Sequence, residues 1–305
     1  MITVALTGAT GFIGQVLLKN LAGQGFRIRA LYRLSSFSPP DSTDTIQWQS
    51  GALEDASSLR ALVAGVDTII HCAGTVRGVT LEQFKQVNTE GVARLLEAAV
   101  HQKISRFLLI SSLAAREPSL SAYASSKRQG EDVLLSYQGK ISWSILRPPA
   151  VYGPGDREMR PLLQLIRRGI VPVIGNPGGR FSLLHVDDLA EAVSCLLKTN
   201  SQRGGCFELH DGHPNGYNWR QIAMIASHLN GNEPRCISIP RPLMQIAGLA
   251  NITLARLAGY QPMLTPGKVR EIFHPDWVCD NTAISAAIGW QPQIQFQQGM
   301  RRLGY

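Results

Sequence analysis

Tyr123 and Lys127 stand four residues apart in the stretch SAYASSKRQGE. On a helix, positions i and i+4 share a face. An ammonium beside a phenol favours the phenolate and lowers a pKa that is otherwise about 10. A tyrosine tuned in this way can give and take protons near neutral pH. Ser112 closes an apolar run just upstream, and Asn88 lies in an earlier helix-like stretch. Ser112 can hydrogen-bond a substrate oxygen, and Asn88 can anchor a water or the backbone. A lone Tyr-x-x-x-Lys pair is common by chance. Four such residues in this order are much less so, and they suit proton transfer to or from a carbonyl or alcohol oxygen.

A cofactor to go with that chemistry is announced by the N-terminus, MITVALTGATGFIGQVLLKNL. Gly8, Gly11 and Gly14 follow a strand-like run and open an amphipathic one. That setting is what a dinucleotide fingerprint requires. One glycine serves the tight turn, one the approach of a pyrophosphate and one the packing of helix on strand. The pyrophosphate then meets the free N–H groups of a helix N-terminus. Thr10, Phe12 and Ile13 complete the loop. Where an NAD site places an acid at the end of the second strand, this chain has Arg33. Arginine can pair with a 2′-phosphate, so NADP(H) is expected in preference to NAD(H).

Apolar runs near 2–7, 27–33, 66–74, 104–112 and 141–148 alternate with helical patterns near 12–23, 57–65, 81–102 and 125–137. This alternation predicts a parallel sheet covered on both faces. Two turns are read at SSFSPPDSTD (35–44) and GNPGGR (175–180). Past VYGPGD (151–156) the alternation stops, although helices are expected near 159–169, 186–198 and 218–229, and a strand near 206–210. The expected fold is α/β: a Rossmann-type doubly wound parallel sheet with a smaller, mostly helical C-terminal substrate lobe. The dinucleotide-binding domain is assigned to 1–155 plus about 183–211, and the lobe to about 156–182 plus 212–305.

The matching pieces span most of the chain. They are TGATGFIG (7–14), GALEDASSL (51–59), VDTIIHCAG (66–74), VNTEG (87–91), FLLISS (107–112), YASSK (123–127), LRPPAVYGPGD (146–156), HVDDLA (185–190) and GWQP (289–292). With these, the sequence resembles the extended short-chain dehydrogenase/reductases of the NAD-dependent epimerase/dehydratase group. The resemblance implies catalytic roles for Ser112, Tyr123 and Lys127, with Asn88 supporting. It also implies that Leu53, Ala73 and Pro148 line the dinucleotide beside the glycine loop, and that Tyr123 and Lys127 touch it. Ala52 replaces the aspartate that many members use near adenine. Members acting on sugar nucleotides grip the diphosphate with an arginine before the HVDDLA segment. Phe181 holds that spacing here, with Arg180 one residue early. One step along a strand reverses the side-chain direction. Leu113 and Ala114 stand where dehydratases add acids after the serine.

The leading reading is a ketone/alcohol oxidoreductase. A nucleotide-sugar epimerase or dehydratase is the second, and a non-catalytic dinucleotide-binding subunit the third. The segment 241–259 is apolar, with one helical face formed by Leu243, Ile246, Ala250, Leu254 and Leu257, widened by Leu249 and Ile252. It is expected to pack on the sheet or on a second subunit. The sharper alternative is an apolar substrate wall or a helix resting on a membrane. Eight Lys/Arg against four Asp/Glu from Gly216 onward would favour an anionic bilayer. These features point to a lipid-like ketone, such as a 3-oxo-sphingoid, a 3-oxo-ceramide or a sterol-like ketone.

The bulk composition is compatible with this. The 305 residues are 44% hydrophobic and carry a formal charge of +8. The basic residues are dispersed without interleaved aromatics, so nucleic acid is not expected. No signal peptide or membrane span is read, so the expected location is cytoplasmic, with peripheral contact at the inner face of the membrane and a homodimer left open. The five cysteines form no Cys-x-x-Cys pair and are expected to be reduced and buried. No metal-ligand spacing occurs. His71 and His185 are expected to pack and bond locally. Asp187-Asp188 is expected to start a helix, and Trp277 and Trp290 to fill the lobe core.

Overall fold

A computed structural model describes residues 2–35, 38–175, 178–199 and 204–304. The strands are β1 (Thr3–Thr7), β2 (Arg27–Tyr32), β3 (Ile46–Ser50), β4 (Thr68–His71), β5 (Arg106–Ile110), β6 (Ser142–Arg147), β7 (Ala150–Tyr152), β8 (Ile170–Ile174), β9 (Arg180–Phe181), β10 (Leu183–His185), β11 (Gly205–Glu208), β12 (Arg235–Ile239) and β13 (Asp276–Trp277). The helices are α1 (Phe12–Gly23), α2 (Ala56–Val63), α3 (Leu81–Asn88), α4 (Glu90–His101), α5 (Ala122–Leu135), α6 (Arg160–Arg167), α7 (Val186–Lys198), α8 (Trp219–Asn230), α9 (Arg241–Ala258), α10 (Pro266–Ile272), α11 (Thr282–Ile288) and α12 (Phe296–Arg302).

Among the described residues, seven strands form one sheet in the order β3-β2-β1-β4-β5-β6-β11. Every pairing in it is parallel. The chain runs outward from β1 in one direction, then restarts at β4 in the other. The crevice at that reversal, beyond the strand C-termini, is where doubly wound sheets bind ligands.

Period-two alternation divides the buried strand residues between two cores. Val4, Leu6, Ile70, Leu108, Ile110 and Leu146 face one side, packed with Leu17, Leu21, Leu189 and Val193 of α1 and α7. Ala5, Ile69, Phe107, Leu109 and Ile145 face the other, packed with Leu59, Leu62, Leu95, Leu96 and Leu134 of α2, α4 and α5. The smaller C-terminal region has its own core around Tyr152, Leu163, Ile166, Tyr217, Ile222 and Phe296. Short parallel pairs, β7 with β10, β8 with β12 and β9 with β13, tie its pieces together.

Several expectations are corrected. The single helix expected over 81–102 is two helices, broken at Thr89, whose backbone lies at φ −117, ψ −61. The junction presses on α5, where a Cβ at Gly130 would lie 2.2 Å from the Asn88 carbonyl oxygen. Strand β3 was not read from the sequence, because IQWQS is a short, half-buried edge strand with only two large apolar residues, Ile46 and Trp48. Helix α5 starts at Ala122, three residues earlier than expected, because Ser121 caps it through Ala124 N–H. The apolar residues of α9 do not pack on the sheet: Leu243, Ile246, Leu249, Leu254 and Leu257 are all exposed. Only Gly248 and Ala255 of α9 are buried. The cysteines are free among the described residues, but Cys206 and Cys236 are exposed and only Cys279 is buried. Ser36 and Phe37 of the first expected turn, and Asn176 and Pro177 of the second, lie outside the described residues.

Candidate active site

The glycine turn joins β1 to α1 at the reversal point. Gly8 sits at φ +73, a left-handed conformation that glycine adopts without strain. A Cβ there would lie 2.6 Å from the Ala73 nitrogen, so β4 and the turn are in direct backbone contact. A Cβ at Gly14 would lie 1.9 Å from the Gly8 carbonyl oxygen, so that glycine lets α1 pack on the turn. Gly11 is the N-cap of α1 and supplies no side-chain cap, and the first turn carries no acidic residue. The leading N–H groups are thus left for an anion, and the helix dipole favours one. This cradle fits a dinucleotide pyrophosphate.

The other expected cofactor residues gather on the same edge of the sheet. Arg33 is exposed just past β2. Leu53 is buried after β3, where the absence of a side chain at Gly91 admits it. Ala73 follows β4, and Pro148 follows β6 and accepts a hydrogen bond from Leu113 N–H at 2.9 Å. Thr10 is held through its carbonyl by Gln15 at 3.2 Å, Phe12 faces Gly155, and Ile13 packs on the core.

Ser112 and Tyr123 are brought together across the short loop between β5 and α5, which holds a 3-10 turn over Leu113–Arg116. The Ser112 hydroxyl accepts from Ala114 N–H at 3.2 Å, and its side chain acts to lower the Tyr123 pKa. Phe84 of α3 packs edge-on to the Tyr123 ring at 6.1 Å. Asn88 is buried and fixes the Thr75 backbone, accepting from its N–H at 2.9 Å and donating to its carbonyl at 3.0 Å. Its amide also donates to Ser126 on α5 at 2.9 Å, and Ser126 donates to the Tyr123 carbonyl.

Lys127 is 7% exposed and donates to the Ile110 carbonyl at 2.9 Å. Burial brings its pKa down to about 8, partly offset by Cys72 and Glu131. Burial raises the Tyr123 phenol's pKa, and the groups that pull it down are Ser112 and Lys268, while Glu271 raises it. Lys268 and Glu271 come from α10 and were not read from the sequence. They lie in a stretch with no motif and far along the chain from Tyr123, so no local signal could have found them.

Beneath α5, a buried ion pair sets the helix on the sheet. Arg147 of β6 donates to both Glu131 oxygens, at 3.0 and 2.5 Å, and Ser111 donates to Glu131 at 2.5 Å. His71 is fully buried against the Thr7 hydroxyl at 2.8 Å, and burial lowers its pKa to about 3, so it is neutral. His185 is buried and accepts from Asp187 N–H, capping α7. Asp188 is buried and accepts from the N–H groups of Gln293 and Ile294. Trp290 is buried in the core shared with α1 and α7 rather than in the lobe core, whereas Trp277 is half-buried and donates to the Glu271 carbonyl at 2.7 Å. Among the described residues no group of His, Cys, Asp or Glu could hold a metal ion, and no helix is long and apolar enough to cross a membrane.

Residues 4–209 match the NAD dependent epimerase/dehydratase family. The chain is 38% identical over 285 residues to the ceramide reductase of Caulobacter vibrioides, covering 93% of this chain and 88% of that one. It is 27% identical to subunit 9 of the NADH dehydrogenase [ubiquinone] 1 alpha subcomplex of Arabidopsis thaliana, over 79% of this chain and 61% of the relative. The structure of MoeE5 in complex with UDP-glucuronic acid and NAD superposes with a TM-score of 0.76 at 20% identity, over 99% of this chain and 97% of that one. That likeness carries the fold. The turn, the sheet order and these matches together make the chain a member of the NAD dependent epimerase/dehydratase family, the extended short-chain dehydrogenase/reductases, and an NAD(P)-dependent oxidoreductase.

Proposed function

We propose that this enzyme reduces the keto group of a long-chain, hydrophobic 3-oxo lipid of the ketosphingoid or 3-oxo-ceramide kind, with NADPH preferred over NADH. The observation that carries the reading is the 38% identity to a ceramide reductase over 93% of the chain. Two structural features support it. The Arg180 guanidinium donates to the Asn215 and Gly216 carbonyls at 2.5 and 3.0 Å, and Phe181 packs on Trp219 at 5.2 Å. Neither is thereby presented as a grip for a sugar nucleotide diphosphate. The second feature is α9, whose exposed leucines are flanked by exposed Arg235, Arg241, Arg256 and Arg270. No Asp or Glu occurs between Glu233 and Glu271. An apolar helix face with basic flanks and no acid suits an anionic bilayer surface. A second copy docked on this face would set arginine against arginine. Helix α9 packs through Gly248 on the start of α10, the helix that reaches Tyr123. Docking by α9 would therefore bring the site close to its substrate's membrane.

A bound dinucleotide would supply hydride to the carbonyl carbon. Ser112 donates to the ketone oxygen and orients it. Tyr123 gives that oxygen its proton and is left as a phenolate, which solvent reprotonates. Lys127 would hold the nicotinamide ribose from its buried seat with the N–H groups not used by Ile110. Asn88 keeps the Thr75 loop and α5 in register beneath them. Arg33 would take the 2′-phosphate.

The test is oxidation of NADPH with a long-chain 3-oxo lipid in detergent, run beside isomerisation of UDP-sugars. Tyr123→Phe should keep dinucleotide binding and lose about 100- to 10,000-fold in turnover. Epimerisation of UDP-sugars without reduction of the lipid ketone would refute the reading.

A further inference from the structure

The Lys268–Glu271 pair is unusual in where it sits. Lys268 Nζ lies over the Tyr123 ring, 5.7 Å from its centroid. Its ammonium is bonded to Glu271 at 2.7 Å. Glu271 is buried and takes a further hydrogen bond from the Ser121 hydroxyl. Ser121 is the N-cap of α5, the helix that carries Tyr123. Gly267 allows this approach, since a Cβ there would lie 3.0 Å from the Ser121 Cβ. The C-terminal region thus reaches the tyrosine's helix through one buried carboxylate and presents an ammonium to the ring itself. Apolar residues would seal such a contact as well as or better than a buried ion pair, so stability alone does not call for these two residues.

We propose that Lys268, held by Glu271, is a positioning residue of the catalytic centre: its ammonium steadies negative charge on the Tyr123 phenol from the α10 side. A cation over an aromatic face is attracted to it, and more strongly to the phenolate. Lys127 donates one of its three N–H groups to the Ile110 carbonyl, and Lys268 approaches the ring separately, from α10. The groups facing Tyr123 are Ser112 from the β5 end, Phe84 from α3, and Lys268 and Glu271 from α10. Those acting on Lys268 are Glu271, Tyr123 and Glu158, and Glu158 is also paired with Arg77 at 2.9 Å. Lys268 keeps its charge, because Glu271 raises its pKa against the effect of burial. The unit completes the tyrosine only when the C-terminal region is seated on α5, so the charge that tunes the proton donor comes with the part of the chain that receives the substrate.

This inference rests on Tyr123 being the proton donor, and its test needs no substrate. The phenol of Tyr123 is titrated in the full-length protein by ultraviolet difference absorbance, with Tyr123→Phe subtracted and circular dichroism following the fold. Lys268→Met should move the midpoint up by about one pH unit, because an opposite charge at this range has been removed. Lys268→Arg, which keeps the charge, should return it to the parent value. A Lys268→Met midpoint equal to the parent's overturns the proposal. So does a Lys268→Arg midpoint displaced as far as that of Lys268→Met. Failure of lipid-ketone turnover would leave this titration unaffected, so the two readings fail separately.

Discussion

Arg147→Met tests whether the ion pair under α5 holds the catalytic helix. Glu131 is 1% exposed, and Arg147 meets it with two bonds. Removing the guanidinium leaves a buried carboxylate with Ser111 as its remaining side-chain donor. Breaking a buried pair in this way costs about 3–5 kcal/mol. Arg147 is 16% exposed, which lets water approach from its side and favours the lower end, about 3 kcal/mol. Unfolding entropy near the midpoint is about 2.1 cal/mol/K per residue, or about 640 cal/mol/K for a chain of this length. The expected fall in Tm is therefore about 5 °C. Differential scanning fluorimetry without dinucleotide reads it directly. The double variant Glu131→Gln/Arg147→Met removes the stranded charge and should recover most of the loss. A fall under about 1 °C, or a double variant no better than the single, would refute the reasoning.

Arg33→Asp should reverse the order of NADPH and NADH affinity, since a charge-assisted contact to the 2′-phosphate is worth about tenfold or more; equal dissociation constants in the parent protein would count against Arg33. The protein should co-sediment with phosphatidylglycerol vesicles about thirtyfold better than with phosphatidylcholine, taking about 1 kcal/mol for each of Arg241 and Arg256. Leu254→Glu/Leu257→Glu should abolish that binding, and retention by the variant would remove α9 from the interface. Asp211 is pushed up to about 6 by burial, so its charged form is disfavoured in the fold and the native state loses stability as pH rises through that value. The Tm of the parent protein relative to Asp211→Asn should therefore decline between pH 5 and 7 (thermal scans in matched buffers), and a pH-independent difference would contradict this account.

What could be read along the chain was what short stretches encode. The turn at Gly8–Gly14 is local, since strand, turn and helix are consecutive and the glycines answer to contacts inside that unit and with the neighbouring strand. The Tyr123–Lys127 spacing is likewise a property of one helix. Strand and helix alternation gave the parallel sheet, because buried parallel strands are continuous apolar runs. Strand β3 escaped because it is a half-buried edge with Gln47 and Gln49 in it, held by backbone pairing to β2.

Tertiary structure decided the rest. Asn88 ends α3 because a helix break at Thr89 accommodates α5, and no pattern in 81–102 marks that contact. An amphipathic segment reveals that it has an apolar face and not what covers the face. In α9 the small residues Gly248 and Ala255 are the buried ones, and the large apolar side chains look outward. The charge beside Tyr123 comes from α10, whose Glu271 is 150 residues from its partner Ser121. Electrostatic partners at that separation are chosen by the packing of one region on another, so only the folded chain could show that the ammonium over the tyrosine belongs to Lys268.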